Sequence, residues 1–281
     1  MFPAVESEPP ARLGPGASAI MAALHEADSR VLLLPDDWAI IDGVTGERRR
    51  SQIAIHRLSL AGWLRPIRRG TYAVRSESGS LRISALELVG ALARGPHLVT
   101  AGQALAQHRL SDQAFREIVV VVPHAHRPWS WQGTHVRYVR MPESQIWGGR
   151  DHHFGHALTT TIARPARAIL DSIAHPHWGV SISQVVEAAD RASRHDPAFV
   201  ERLALAASRY GNAMASRRLG FIIERLEGPE AARAFAALRG SSHTYARLMA
   251  QAPLGDPSLD SSWRIAENVP FELLAAHRQL G

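Results

Sequence analysis

Arginine and histidine are the residue types in this sequence whose number and spacing could do chemistry, because lysine and cysteine are both absent. All 32 Lys and Arg positions are arginine. Without lysine there is no phosphate-binding loop of the GxxxxGK(S/T) type, no Schiff-base cofactor and no Ser-Lys dyad. Without cysteine there is no disulfide framework, zinc ribbon, iron–sulfur cluster or thiol nucleophile.

The arginines are concentrated in one segment. Between Arg48 and Arg75 there are eight arginines and no aspartate or glutamate, whereas the whole chain has a formal net charge of only +6, so the remainder is slightly acidic. Positive charge gathered in one place indicates an anionic partner such as nucleic acid. The alternative is a solvated face on a basic protein.

Three helices are predicted to position this segment. The first covers residues 17–29, and a short second one covers residues 35–42 with Pro35 at its start. The third extends from about Ser51, its expected N-cap, to Ala61, and Gly62 ends it. Ile53 and Leu60 lie opposite its main apolar stripe, so we expect this helix to be wedged between two other elements.

Residues 63–74 follow as two short strands around an Arg-Arg-Gly turn. Three helices and a basic hairpin predict a winged helix-turn-helix, in which the third helix enters the major groove and the wing lies along the backbone. The candidate DNA-binding residues on the third helix and at its entry are Arg48, Arg49, Arg50, Gln52, His56 and Arg57, and those on the wing are Arg65, Arg68 and Arg69. The alternative is a winged helix that docks onto protein.

The rest of the chain predicts a larger mixed domain. Strands are expected at about 117–141 and 263–269, and Ala/Leu/Arg-rich helices at about 164–240. The predicted fold class is therefore α+β: an N-terminal winged helix-turn-helix followed by a larger mixed α/β domain that ends in a helical layer. The expected divisions are a disordered tail over 1–16, a winged helix over 17–76 and a C-terminal domain over 80–281.

Six sequence blocks carry a family resemblance. In chain order they are GWLRPIRRGTYAV, TAGQALAQHRLSDQ, VVVV, TTTIARPARAILDSI, RRLGFIIERLEG and WRIAENVP. In order and spacing the chain resembles the AbiEi-type antitoxin family of bacterial toxin–antitoxin systems.

The resemblance implies a two-domain protein whose winged helix binds double-stranded DNA at its own promoter and represses it. It also implies that the C-terminal domain counteracts a nucleotidyltransferase toxin. The matching C-terminal positions include Arg164, Arg167, Asp171, Arg217 and Arg218, for which the family offers no catalytic role. A competing hypothesis is a stand-alone regulator whose C-terminal domain dimerises or senses a ligand, and a nuclease-associated DNA-binding protein is a third.

Catalytic and metal-binding alternatives find less support. The segment 151–156 holds His152, His153 and His156, but a metal site needs three or four converging ligands, and only proximity in sequence suggests one here. No GxSxG motif surrounds any serine, and a metal-dependent nuclease lacks its lysine and its carboxylate cluster. We therefore expect no catalytic residues, no metal and no cofactor. With no bilayer-length apolar run and no basic-then-apolar leader, a cytoplasmic location is expected.

Overall fold

The structure is a computed structural model that describes residues 12–34, 36–81, 83–154 and 158–279. The tail up to residue 11, Pro35 and His156, which entered the predictions above, lie outside the described residues. The described chain divides into two compact units. The first draws on Met1–Gly95, Trp129–His135 and Asp151–Thr160, and the second on Pro96–Pro128, Val136–Arg150 and Thr161–Gly281.

The first unit begins with the predicted winged helix-turn-helix. Its elements in chain order are α1 (Pro15–Glu26), β1 (Val31–Leu33), α2 (Trp38–Thr45), α3 (Arg48–Leu60), β2 (Leu64–Arg68), β3 (Thr71–Val74) and α4 (Ala85–Ala93). The first three strands form an antiparallel sheet in the order β1-β3-β2. The wing turn contains Gly70 with φ of 73°, a conformation that glycine adopts without strain.

One apolar cluster holds these elements together. It is formed by one face of each helix and the inner side of the sheet. Its buried members are Ile20, Met21, Leu24, Leu32, Ile41, Ile55, Leu58, Leu64 and Val74. Full burial of a leucine or isoleucine side chain contributes about 1.5–3 kcal/mol, so this cluster fixes α3 against α1, α2 and the wing.

Three predicted helix starts differ from the structure. The second helix, predicted over 35–42, begins at Trp38 and ends at Thr45. The first helix begins at Pro15, within the predicted tail, because proline suits the first turn of a helix. The third begins at Arg48 with Glu47 in the N-cap position, so Ser51 is not the N-cap. Ser51 is instead fully buried one turn inside α3.

The predicted joint between the two domains is an ordered turn. The hydroxyls of Ser76, Ser78 and Ser80 hydrogen bond to one another, and Arg75 donates to the carbonyl oxygen of Gly79. Helix α4 follows in the same unit behind a Ser84–Glu87 capping box. Both the turn and α4 belong to the stretch of the first compact unit that ends at Gly95.

The remaining elements form a sheet-and-helix fold. In chain order they are β4 (Leu98–Thr100), α5 (Ala101–Gln107), β5 (Glu117–Val122), β6 (Trp129–Trp131), β7 (Thr134–Arg140), β8 (Gly149–Phe154), β9 (Leu158–Ala163), α6 (Pro165–Ala174), α7 (Ile182–His195), α8 (Phe199–Tyr210), α9 (Ala213–Glu227), α10 (Pro229–Ala232), β10 (Ala246–Arg247), β11 (Ser258–Asp260), β12 (Ile265–Glu267) and α11 (Phe271–Leu274). Short 3₁₀ segments lie at Glu143–Gln145, Pro176–Trp178, Arg233–Leu238 and Ala276–Gln279.

The larger sheet has six strands in the order β6-β7-β5-β4-β9-β8, and a smaller one has the order β10-β12-β11. Strand β4 pairs antiparallel with β5 and parallel with β9. Five consecutive residues of β5, Ile118 to Val122, are buried, as its β-branched run predicts for a strand covered on both faces. The predicted helical layer is also present, as α6 to α10.

Helix α4 contacts β9 at a glycine, which allows their backbones to approach closely. A Cβ atom on Gly90 would lie 1.8 Å from the carbonyl oxygen of Thr159. At the same place the Gly90 amide donates to Thr160 Oγ1 at 3.1 Å, and that hydroxyl donates to the Leu86 carbonyl oxygen at 3.0 Å. The helix is therefore fixed to the strand by backbone contact and by one threonine.

We predict that Gly90→Ala lowers the free energy of unfolding by about 1–3 kcal/mol, because the added methyl group overlaps backbone that cannot move aside cheaply. Urea denaturation followed by circular dichroism measures the change. Gly43→Ala in α2 is the matched control, since no atom beyond its chain neighbours and its own helix backbone lies within 4 Å of the position that the added methyl group would take. That substitution should leave stability equal or raise it by up to about 1 kcal/mol. Equal stability of the two variants would contradict the close approach.

Candidate nucleic-acid interface

Helix α3 has an exposed face that is basic and polar. Positions i, i+3, i+4, i+7 and i+8 from Arg49 lie near one another on a helix. They are Arg49, Gln52, Ile53, His56 and Arg57, and all five are exposed. Ser51, Ile55 and Leu58 lie on the opposite, buried side. The helix therefore presents a continuous surface of donors, acceptors and one apolar side chain.

The expectation that Ile53 and Leu60 are wedged against a second element is wrong. Ile53 is 46% exposed and Leu60 is 76% exposed. The buried stripe of α3 already fills the space toward α1, α2 and the wing, so its other side faces outward. Sequence reasoning therefore left Ile53 out of the exposed face of α3, although an isoleucine between Gln52 and His56 on a basic helix was the available signal.

Asp42 of α2 positions the first turn of α3. Its Oδ1 accepts a hydrogen bond from Ser51 Oγ at 2.5 Å, and its Oδ2 accepts one from Arg48 Nε at 2.9 Å. The Arg48 guanidinium also lies 4.4 Å from the centre of the Trp38 ring. Arg48, predicted to contact DNA, is thus engaged in fixing the angle between α2 and α3.

The other predicted residues of α3 are exposed. Arg50 Nε lies 3.5 Å from Glu47 Oε2 in a solvated pair, which holds it weakly. Within the described parts of the chain, Arg49 and Arg57 form no ion pair with a carboxylate. Their guanidinium groups can therefore contact an external anion without first breaking an internal salt bridge.

The wing arginines fall into two groups. Arg65 lies over the Trp131 ring, 5.1 Å from its centre, and Arg68 Nη2 donates to the Leu92 carbonyl oxygen at 3.0 Å. Arg69 is exposed at the tip of the turn. The wing therefore presents Arg69 most directly, while Arg65 and Arg68 also attach the wing to its own unit.

Arg75, the last of the eight arginines in the basic segment, belongs to the core. It is 6% exposed, and it donates to the carbonyl oxygens of Gly62 and Gly79 at 2.5 Å each. Its charge satisfies backbone acceptors at the end of the wing. The accessible positive charge of the segment is consequently smaller than the sequence count indicates.

The described residues of the histidine segment, Asp151 to Phe154, lie in a strand. His152 and His153 belong to β8, and His153 Nδ1 is 2.9 Å from Thr159 Oγ1. Across the residues that the structure describes, no three His, Asp or Glu side chains are grouped so that they could hold a metal ion. No helix in the same ranges has the length and hydrophobicity needed to cross a bilayer.

Comparisons with known proteins identify the fold. No protein-family model matches the chain, and no curated protein matches it in sequence. Among solved structures, the crystal structure of the RV2827C protein from Mycobacterium tuberculosis matches with a TM-score of 0.71 and 16% sequence identity, over 97% of this chain and 98% of that one. At this identity the similarity shows a shared fold, and it confirms the predicted α+β class.

The contacts of Asp42 predict a lowered pKa for its carboxyl group. Hydrogen bonds from Arg48 and Ser51 hold the pKa of the Asp42 carboxyl below its ordinary value of 3.8. The ionised carboxylate therefore stabilises the fold above the ordinary pKa, and this contribution is lost as the pH falls through the lowered pKa. Carboxyl ¹³C shifts followed against pH should give a value below 3.8 for Asp42 in the native chain.

Arg48→Gln should raise the pKa of Asp42 toward the ordinary value, because the charged donor is lost. Arg49→Gln is the matched control, since the guanidinium of Arg49 is next to Arg48 in the chain but does not contact Asp42. An unchanged Asp42 pKa in Arg48→Gln would show that this pair does not fix α3.

Proposed function

We propose that the protein is a sequence-specific DNA-binding repressor of its own promoter. The single observation that supports this most strongly is the exposed face of α3, where arginines, a glutamine and an isoleucine follow one another at helical spacing with no carboxylate among them. In a winged helix-turn-helix the corresponding helix lies in the major groove.

The residue types on this face suit the edges of base pairs. Gln52 can make a two-point contact with adenine, and an arginine can make one with guanine. Ile53 offers an apolar contact to the methyl group of thymine. Arg69 on the wing is suited to backbone phosphate, which fixes position without distinguishing sequence.

We further propose that the protein is an antitoxin that counteracts a nucleotidyltransferase toxin, and that it acts by binding without catalysis or a cofactor. The six sequence blocks that resemble the AbiEi-type family support this. Of the positions matched in the C-terminal part, Arg167, Asp171, Arg217 and Arg218 are buried. Arg217 and Arg218 donate to the carbonyl oxygens of Thr244 and Arg247, which are structural roles.

Substitutions on α3 should separate affinity from specificity. Gln52→Ala should lower the preference for the chain's own promoter fragment over a scrambled duplex by about 1–3 kcal/mol, because a base contact is lost. Arg69→Gln should weaken binding to both duplexes alike, because a phosphate contact carries no sequence information. Fluorescence anisotropy at fixed salt measures both constants.

Arg116→Gln, which removes an exposed arginine outside the winged helix, is the matched control and should bind as the native chain does. Equal affinity of the native chain for both duplexes would refute specific recognition, and native-like binding by both test variants would refute the assignment of this face.

The salt dependence of the association constant for DNA should depend on the number of accessible arginines that contact phosphates. If Arg49, Arg50, Arg57 and Arg69 contact phosphates, the logarithm of the association constant should fall with the logarithm of salt concentration at a slope of about −3.6. Each Arg→Gln change among them should make the slope shallower by about 0.9. Arg48→Gln should affect the slope less, since Arg48 is paired with Asp42. A slope near zero would contradict phosphate contact by this surface.

The antitoxin proposal is tested with the full-length chain. Co-expression with the product of an adjacent nucleotidyltransferase gene should restore growth that this product arrests. The variant Arg49→Gln/Arg57→Gln/Arg69→Gln should lose promoter binding and still restore growth if neutralisation acts through the C-terminal part. Continued arrest with the native chain, at equal expression, would overturn the antitoxin proposal and leave DNA binding to be judged by its own assay.

A further inference from the structure

The second compact unit contains a cavity of about 520 Å³ at the start of helix α6. Its walls come from α6, α7, α8 and the segments after α5 and β7. Its lining residues include Arg164, Arg167, Trp147, Phe199, Arg202 and Leu205. None of them has a part in the proposed DNA interface.

The N-terminus of helix α6 lies at this cavity and has no side-chain cap. Its N-cap residue is Arg164, whose side chain has no acceptor, and no side chain caps the helix. Pro165 follows in the first turn, and Arg164, Pro165 and Ala166 all line the cavity. Unpaired amides and the helix dipole favour an anion at such a position.

Arg167, one turn into α6, supplies a second and independent indication. Its side chain is 1% exposed, and its Nε donates to Asp171 Oδ2 at 2.9 Å. Its Nη1 and Nη2 atoms are buried and have no hydrogen-bond partner within the described residues. Leaving charged donors buried without an acceptor is costly, so an acceptor supplied from the cavity would stabilise this guanidinium.

Asp171 does not serve as that acceptor, because it hydrogen bonds to Arg167 through Nε and neither Nη atom has a hydrogen-bond partner within the described residues. Oδ2 also accepts from Thr100 Oγ1 at 2.6 Å, and Oδ1 accepts from the Tyr210 hydroxyl at 2.9 Å. The rings of Trp147 and Tyr210 lie 4.5 Å and 5.0 Å from the Arg167 guanidinium carbon. The aromatic faces hold the cation in place but cannot replace a hydrogen-bond acceptor.

The cavity walls combine positive charge with apolar surface. Arg164 is exposed, and the lining carboxylate, Asp196, is paired with Arg202. The net charge of the arginine and aspartate side chains around the cavity is therefore positive. Phe199 is 3% exposed and Leu205 is 72% exposed, and both side chains line the cavity as apolar surface.

We propose that this cavity binds a small organic anion, with an oxyanion group such as phosphate or phosphonate at the N-terminus of α6 and an apolar or aromatic body against Phe199 and Leu205. Arg164 and Arg202 contact the anion at the mouth, and Arg167 supplies charge and donors from beneath. The volume exceeds what a phosphate ion alone requires and suits a ligand of small-molecule size. This inference does not depend on the proposed function in DNA binding.

The test uses calorimetric titration of the full-length chain with phenylphosphonate, which has both an oxyanion and an aromatic ring. We expect saturable binding to one site with a dissociation constant below about 1 mM. Inorganic phosphate should bind more weakly because it lacks the apolar body, and benzyl alcohol should not bind measurably because it lacks the charge. Arg164→Gln should reduce phenylphosphonate affinity about tenfold, as expected for the loss of a charged hydrogen bond.

Ala206→Phe, which adds a ring at a partly exposed residue lining the same cavity, should abolish binding with the circular dichroism spectrum unchanged. Arg116→Gln removes a positive charge outside the cavity and is the control; it should bind phenylphosphonate as the native chain does. Absence of saturable heat with the native chain would overturn the proposal. Native affinity in both Arg164→Gln and Ala206→Phe would overturn it as well, because binding would then lie elsewhere. No DNA is present, so this outcome is independent of the promoter assay.

Discussion

The second compact unit depends on the hydrogen bonds that the buried carboxylate of Asp171 accepts. This carboxylate is completely inaccessible and accepts hydrogen bonds from three donors on β4, α6 and α8: Thr100, Arg167 and Tyr210. A carboxylate at such a depth is tolerated only when its oxygens are saturated, so the sheet and both helices must keep one relative position. Burial and the Asp171 charge raise the pKa of Tyr210, so its hydroxyl remains a donor through the neutral range.

Asp42 does the same work at the surface of the winged helix, where it aligns α2 with α3 through Ser51 and Arg48. The arginines of this protein consequently have two uses. Some, such as Arg48 and Arg75, donate hydrogen bonds to acceptors within the protein, while others, such as Arg49 and Arg69, are exposed on the surface. A count of charges along the sequence cannot separate the two, because the acceptors lie on other elements.

This difference explains which parts of the fold were predictable. Helical periodicity predicted α1, α3 and the helical layer, and the basic hairpin predicted the wing, since both signals are local. Strands β8 and β9 were not predicted, because their short polar sequences form strands only when they pair with the rest of the sheet. Thr100 occupies the N-cap position of α5, yet its hydroxyl donates to Asp171, 71 positions away in the chain, instead of capping the helix. Ile53 was misassigned because an apolar residue predicts a buried contact, whereas here it lies 46% exposed on the outer side of α3.

The absence of lysine acquires a physical meaning from these contacts. A guanidinium is planar, weakly hydrated and able to stack on aromatic rings, so Arg167 can be buried between Trp147 and Tyr210, where an ammonium would be far less stable. The same group makes two-point contacts with guanine edges or oxyanions when exposed.

The two proposed sites thus share one chemistry and differ in exposure. The proposed contacts of α3 with DNA would release counterions and weaken steeply with salt, whereas charges held beneath a cavity are screened much less. The response of each site to salt is therefore a property that the fold, and not the residue type, imposes.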